Sequence, residues 1–172
     1  GSERFGYQNS KASLLENAYY ILTPTPETSD DKLNAYKELV IKTGAIPLIL
    51  DYKQHDYVTA AISHLPHVIA ASLVNLVRDS DSEEGIMKMV AAGGFKDITR
   101  IASSSAVMWQ QICGENKEQL LSFMDAYIGS LSSLRNEIAA DNKDYLLDYF
   151  KEAKDYRDSF DDVISGPIKR SY

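Results

Sequence analysis

One cysteine, Cys113, in 172 residues leaves no disulfide framework and no thiolate cluster for a metal, which fits a reducing, cytoplasmic setting. Basic residues are also short: 18 lysines and arginines stand against 25 acids, for a formal charge of −7. They are scattered, so no stripe exists that would neutralise phosphates, and nucleic acid is not expected as a partner. No apolar run is expected to reach the roughly 18 to 20 residues that cross a bilayer without charges, and no basic-then-apolar leader opens the chain. The expectation is a soluble protein with no membrane partner. No repeat, low-complexity segment or Gly-x-Ser-x-Gly turn is present, the last excluding one familiar route to a serine nucleophile.

Histidine is scarce too, and all three lie in one apolar run, His55 to Val77. Asp51 can cap a helix there, with Gln54 reaching back in a capping box. Val58, Ala61, Ile62, Leu65, Val68, Ile69, Leu73, Val74 and Leu76 then cover most directions around the axis, as in a helix at the centre of its domain. Pro66 removes one i to i−4 bond and predicts a bend between His64 and His67. Ser63, His64 and His67 share a face there, beside freed carbonyls.

Upstream, residues 10–17 read as a short helix and 18–22 as a strand stopped by Pro24 and Pro26. A helix over 30–43, capped by Ser29 and closed by Gly44, leads to a second buried strand over 45–50. Strand, helix, strand is one crossover unit of a parallel sheet. Downstream, 86–92 forms a short helix ended by Gly93-Gly94, and Ser103 to Ser105 cap a helix carrying Met108, Trp109 and Ile112. Asn116 and Gln119 form another capping box. Leu120, Met124, Tyr127, Leu131, Leu134 and Ile138 recur at helix-pair spacing. Asp141 caps a last helix whose stripe runs from Leu146 to Val163.

His55-Asp56 raises an HD-type metal site, but no histidine precedes it and no acid lies at motif spacing from His64 and His67, so no metal is expected. Ser63 lacks an oriented base and is expected to bond a carbonyl one turn back. Arg100, amid Phe95, Ile98, Ile101 and Ala102, needs an anion: Asp97, or the carboxylate of an incoming ligand. Trp109 reads as core or as pocket wall.

The stretch Ile62-Ser-His-Leu-Pro-His67 after His55-Asp56, then Gly93-Gly-Phe-Lys-Asp-Ile-Thr-Arg-Ile-Ala102, Trp109 and Asn116, resembles the helical domain of prephenate dehydrogenases, the TyrA family of tyrosine biosynthesis. Gly1-Ser-Glu3 with Gly6 is similar to the family's Gly-Ser/Thr-Glu-x-x-Gly stretch, and Tyr20-Ile-Leu-Thr-Pro24 to its strand ending in Leu-Thr-Pro. The resemblance implies a mainly α fold: a helical bundle dimerisation domain preceded by a short β-α-β remnant of a Rossmann-like domain. The corresponding boundaries are 1–50, 51–165 and a tail over 166–172 that resembles the entry to an ACT-type domain.

It also implies a homodimer, and oxidative decarboxylation of prephenate or arogenate with NAD or NADP in the parent protein. Arg100 would hold a substrate carboxylate, oriented by Asp97, and His67 would contact the substrate. Trp109 would wall the pocket, Ser63 and His55 would line it, and Glu3 would gate it. Tyrosine is a candidate feedback ligand. The family's catalytic histidine and Gly-x-Gly-x-x-Gly are missing, so this chain is expected to be inactive alone and to hold no cofactor. The alternatives are a free-standing helical dimerisation or ligand-sensing module and an HD-like metal phosphohydrolase.

Overall fold

The computed structural model describes residues 6–164. Two compact units, Gly1–Phe123 and Met124–Tyr172, divide the chain. The first begins with two 3-10 turns, Tyr7–Asn9 and Ala12–Leu15, in place of the single short helix expected over 10–17. Strands β1 (Tyr19–Leu22) and β2 (Ile46–Ile49) pair in parallel, Tyr19 opposite Ile46 and Leu22 opposite Ile49. Helix α1 (Asp30–Lys42) connects them. This is the expected crossover unit.

Its core is small: Leu22, Val40 and Ala45 are buried, with Leu15, Tyr20 and Leu33 packed around them. Tyr36 lies half outside that core, its hydroxyl 3.2 Å from that of Tyr20. Gly44 takes φ 81°, the left-handed conformation that ends α1, and its carbonyl accepts from Asn17 N–H at 2.8 Å. Ser29 supplies its carbonyl to Leu33 but no side-chain cap.

Asp51 does cap the central helix, its Oδ1 accepting from Lys53 and Gln54 N–H at 2.9 and 3.0 Å. The reciprocal bond from the Gln54 side chain is absent among the described residues. Helix α2 (Tyr52–Thr59) runs into a π-helical turn, Ala60–His64, and then α3 (Leu65–Ser80). The interruption caused by Pro66 thus takes the form of a widened turn just before it. Leu65 N–H bonds Ala60 O, five residues back, which accommodates a proline that can neither donate nor tolerate a tight preceding turn.

Two expectations about this rod need correction. It is 29 residues long and apolar enough, by length and composition, to cross a membrane, because imidazoles, Pro66, Ser63 and Asn75 interrupt the apolar run without charging it. It is also not enclosed in the protomer. Only Ala60 and Ala70 are buried, and Ile62 and Leu76 are 74% and 62% exposed.

Past α3, Asp81 organises the next turn. Its Oδ1 accepts from Ser82 and Met87 N–H and its Oδ2 from Lys88 N–H, starting α4 (Ile86–Val90). These amides, Met87's foremost, lower the pKa of the Asp81 carboxyl. Gly93 and Gly94 do not end α4. They open α5 (Gly93–Thr99), since Ala92 is extended and neither glycine needs a left-handed conformation. A 3-10 turn, Arg100–Ser103, follows, and both it and α5 pack on α3. Ser105 caps α6 (Ala106–Glu115), and α7 (Lys117–Ala139) begins directly after Asn116.

In the second unit, α7 ends at Ala139, and Asp141 just beyond it adopts φ 50°, so Asp141 cannot cap α8 (Lys143–Ile164). Asn142 does so instead: its Oδ1 accepts from Tyr145 N–H, and its Nδ2 donates to Glu137. The apolar stripes of both helices are open in the protomer, with Leu131 46%, Ile138 58%, Phe150 61% and Tyr156 70% exposed. Glu3, Gly1-Ser2 and the segment 166–172 lie outside the described residues.

Candidate substrate-binding site

The site grows from the π turn. His64, the last residue of the widened turn over 60–64, and His67 in the helix after it both meet one indole. His67 stacks on Trp109, ring centroids 3.9 Å apart and planes 25° apart, while His64 meets it edge-on at 6.1 Å and 81°. Ser105, capping α6 through Met108 N–H, sets the register that places Trp109 on the first turn.

Each imidazole has one nitrogen fixed by a partner of known polarity. His67 Nδ1 lies 2.9 Å from the Ser63 carbonyl, which can only accept, so Nδ1 carries hydrogen and Nε2 is left for another contact. The Asn116 amide nitrogen is 2.8 Å from the Asp56 carbonyl and 3.2 Å from His64 Nδ1. Donation to that carbonyl identifies the amide NH2, so His64 Nδ1 is an acceptor and its proton sits on Nε2. Burial lowers the pKa of His64, and the nearby His55 and His67 lower it further, against a smaller opposite pull from Asp56.

The two rings open into separate recesses. His67 and Trp109 line one of about 320 Å³ with Val68, Ala71, Ser72 and Asn75, bordered by Gln110 and Cys113. No charged side chain lines it. His64 and His55 line another of about 400 Å³, together with Asp56, Thr59, Gln111 and Glu115. His64 and His67 therefore converge on Trp109 and not, as expected, on one cavity. Trp109 is both packing and pocket wall, and its Nε1 is a buried donor without a partner among the described residues.

Ser63 acts through its main-chain carbonyl; its hydroxyl makes no hydrogen bond among the described residues, where a bond one turn back was expected. His55 Nδ1 is engaged by Asp56 Oδ1 at 3.0 Å. No group of three His, Cys, Asp or Glu side chains gathers at metal-binding distance among the described residues. Arg100 begins the 3-10 turn on α3 and is exposed in the protomer, because Ile98 beside it is itself 56% exposed and forms no apolar enclosure. No ion pair joins Asp97 to Arg100 among the described residues. Neither lines the His67 or the His64 recess.

Sequence reasoning missed Asn116 as part of the site. Its spacing to Gln119 points to a capping box, but its side-chain amide is spent on Asp56 and His64. Only its place in the motif set hinted at more.

Residues 51–152 match the family described as prephenate dehydrogenase, dimerization domain. Prephenate dehydrogenase of Bacillus subtilis (strain 168) is 41% identical over 172 residues, which is 100% of this chain and 46% of that protein. Cyclohexadienyl dehydrogenase of Zymomonas mobilis is 36% identical over 159 residues, covering 91% of this chain and 54% of that one. A crystal structure of prephenate dehydrogenase from A. aeolicus, in complex with hydroxyphenyl propionate and NAD+, superposes with a TM-score of 0.88 at 34% identity, covering 93% of this chain and 56% of that one. The chain spans about half the length of the relatives it matches. By its helical fold, its histidine-bearing rod and the match over 51–152, it belongs to the prephenate dehydrogenase family and contains that family's dimerization domain.

Proposed function

We propose that this chain is the substrate-binding and dimerising part of a cytoplasmic prephenate or arogenate dehydrogenase. In this reading, residues 1–50 are the trailing edge of a nucleotide-binding domain, 51–165 bind substrate and dimerise, and 166–172 lead towards a further domain. The observation that carries it is the His67–Trp109 stack. An aromatic wall lies under an imidazole whose Nδ1 is committed to a carbonyl and whose Nε2 remains for a ligand, beside a recess without acids. A small ring bearing a carboxylate suits that surface. The indole and aliphatic walls take the ring, and in its charged form His67 donates through Nε2 to the carboxylate.

Arg100 adds a permanent cation from the turn packed on the same helix. His55 lines the neighbouring recess, Ser63 holds His67 through its carbonyl, and Glu3 gates the site. Tyrosine, a ring with a carboxylate, competes for the same surface.

The described residues do not fit a nicotinamide dinucleotide. The β1–α1 loop carries Pro24 and Pro26 and no glycine, so it offers no close backbone approach to a pyrophosphate. NAD or NADP and the general base are therefore assigned to the nucleotide-binding domain, and the chain alone is inactive. The homodimer follows from the open apolar stripes of the central rod, α7 and α8.

The test is a chimera joining this chain to the upstream half of the Bacillus subtilis enzyme. It should reduce NAD+ when prephenate is added, and His67→Ala or Arg100→Ala should raise KM several-fold. A folded, dimeric chimera without activity, or turnover by the chain on its own, would reject the proposal.

A further inference from the structure

Three imidazoles crowd this site, and a ligand carboxylate needs one of them charged, which mutual repulsion makes harder for each additional one. The structure disposes of this conflict through a residue that hydrogen-bonds neither His67 nor Trp109 among the described residues. Asn116 stands where α6 gives way to α7, and its amide NH2 faces two acceptors, the Asp56 carbonyl at 2.8 Å and His64 Nδ1 at 3.2 Å. A proton on His64 Nδ1 would set N–H against N–H. The main-chain carbonyl of Asp56 cannot turn away without breaking the turn before the π segment.

His64 in turn rests edge-on against Trp109, and Trp109 carries the stacked His67. By contrast, the Ser63 carbonyl at His67 Nδ1 accepts equally from a neutral or a charged ring. We infer that Asn116 is a positioning residue of the substrate site: it locks His64 as the neutral Nε2–H tautomer and leaves His67, whose Nδ1 is held by a carbonyl, as the imidazole that meets the ligand carboxylate. This rests on the dehydrogenase reading for its ligand but not for its tautomer.

The groups facing His64 are His55 and Asp56 from α2, His67 from α3 and Glu115 from α6. The depressed pKa of His64 agrees with the arrangement. Burial is its foremost cause, with His55 and His67 adding to it.

Two measurements decide the matter. In the 172-residue chain, long-range proton–nitrogen correlation spectra near pH 7.5 should show His64 with Nε2 protonated and Nδ1 bare. An Nδ1–H or doubly protonated ring would overturn the lock. Asn116→Asp offers an acceptor to His64 Nδ1 and should charge the ring. Asn116→Ala only releases it.

In the chimera, Asn116→Asp should raise the prephenate KM several-fold more than Asn116→Ala, with kcat little changed and the gap widening as pH falls below 7. Equal effects of the two substitutions would show a merely structural role and end the proposal. A chimera inert with Asn116 intact would count against the dehydrogenase reading, while the ring-nitrogen spectra would still judge the tautomer.

Discussion

At the scale of single residues, the site depends on which atom of each polar group is already engaged. Ser63 matters through its carbonyl, Asn116 through its amide, and His64 through the nitrogen it does not use for Asn116. The pH dependence of folding carries this signature. His64 has a lowered pKa in the fold, so below its ordinary value of 6.5 the unfolded chain binds a proton that the folded chain resists. Stability is therefore whole above that value and declines as pH falls through it. The carboxyls with lowered pKa, Asp79, Asp81, Glu27 and Glu84, add their losses only at lower pH. Urea denaturation at pH 7.5 and pH 5.5 should show the decline, and His64→Gln should flatten it.

At the scale of elements, the π turn is the part that the histidines depend on. A regular α-helix would close the turn by one hydrogen-bond register and rotate everything after it by about 100° relative to what precedes it. His55 and Asp56 lie before the turn, and His67 lies after it. Pro66→Ala restores the missing N–H and removes the ring clash, so the helix can tighten. The expected outcome is a chain as stable as the parent or more so, whose chimera binds prephenate several-fold more weakly. Thermal melting with KM measurements checks both halves; unchanged KM would mean that the turn is incidental to the site.

At the scale of the whole chain, the dominant feature is apolar surface without cover. Leu131, Ile138, Phe150 and Tyr156 are exposed on long helices, and Ile62 and Leu76 on the central rod. Apolar side chains left open along helices in this way mark association surfaces. The rod's length and composition would also allow it to cross a bilayer. Its histidines, however, are tied to polar partners, Asn116 and the Ser63 carbonyl, within the chain's own structure. Sedimentation of the chain at micromolar concentration should give a dimer. Leu131→Glu, which buries a charge if α7 is at the interface, should give monomer with its helix content kept. A wild-type monomer at that concentration would refute the dimer.

Much of this chain was legible before any coordinates. Spacing alone located β1, α1, β2 and the central helix, because proline, glycine and Asp51 mark their ends through local backbone chemistry that acts wherever the chain goes. Local signals misled where two neighbours could do the same task. Asp141 and Asn142 compete to cap α8, and Gly93-Gly94 can close one helix or open the next; the φ angles decide.

The recognition surface lay beyond the reach of spacing. Asn116 and His64 are 52 positions apart, and their hydrogen bond depends on α6 delivering Trp109 and Asn116 to the π turn. The sequence by itself determined most of the long helices and where the central one is interrupted. Only the tertiary structure decided which nitrogen of His64 is left to meet a ligand, because its partner Asn116 is brought in from 52 positions away, whereas His67 and His55 take theirs locally from the Ser63 carbonyl and Asp56.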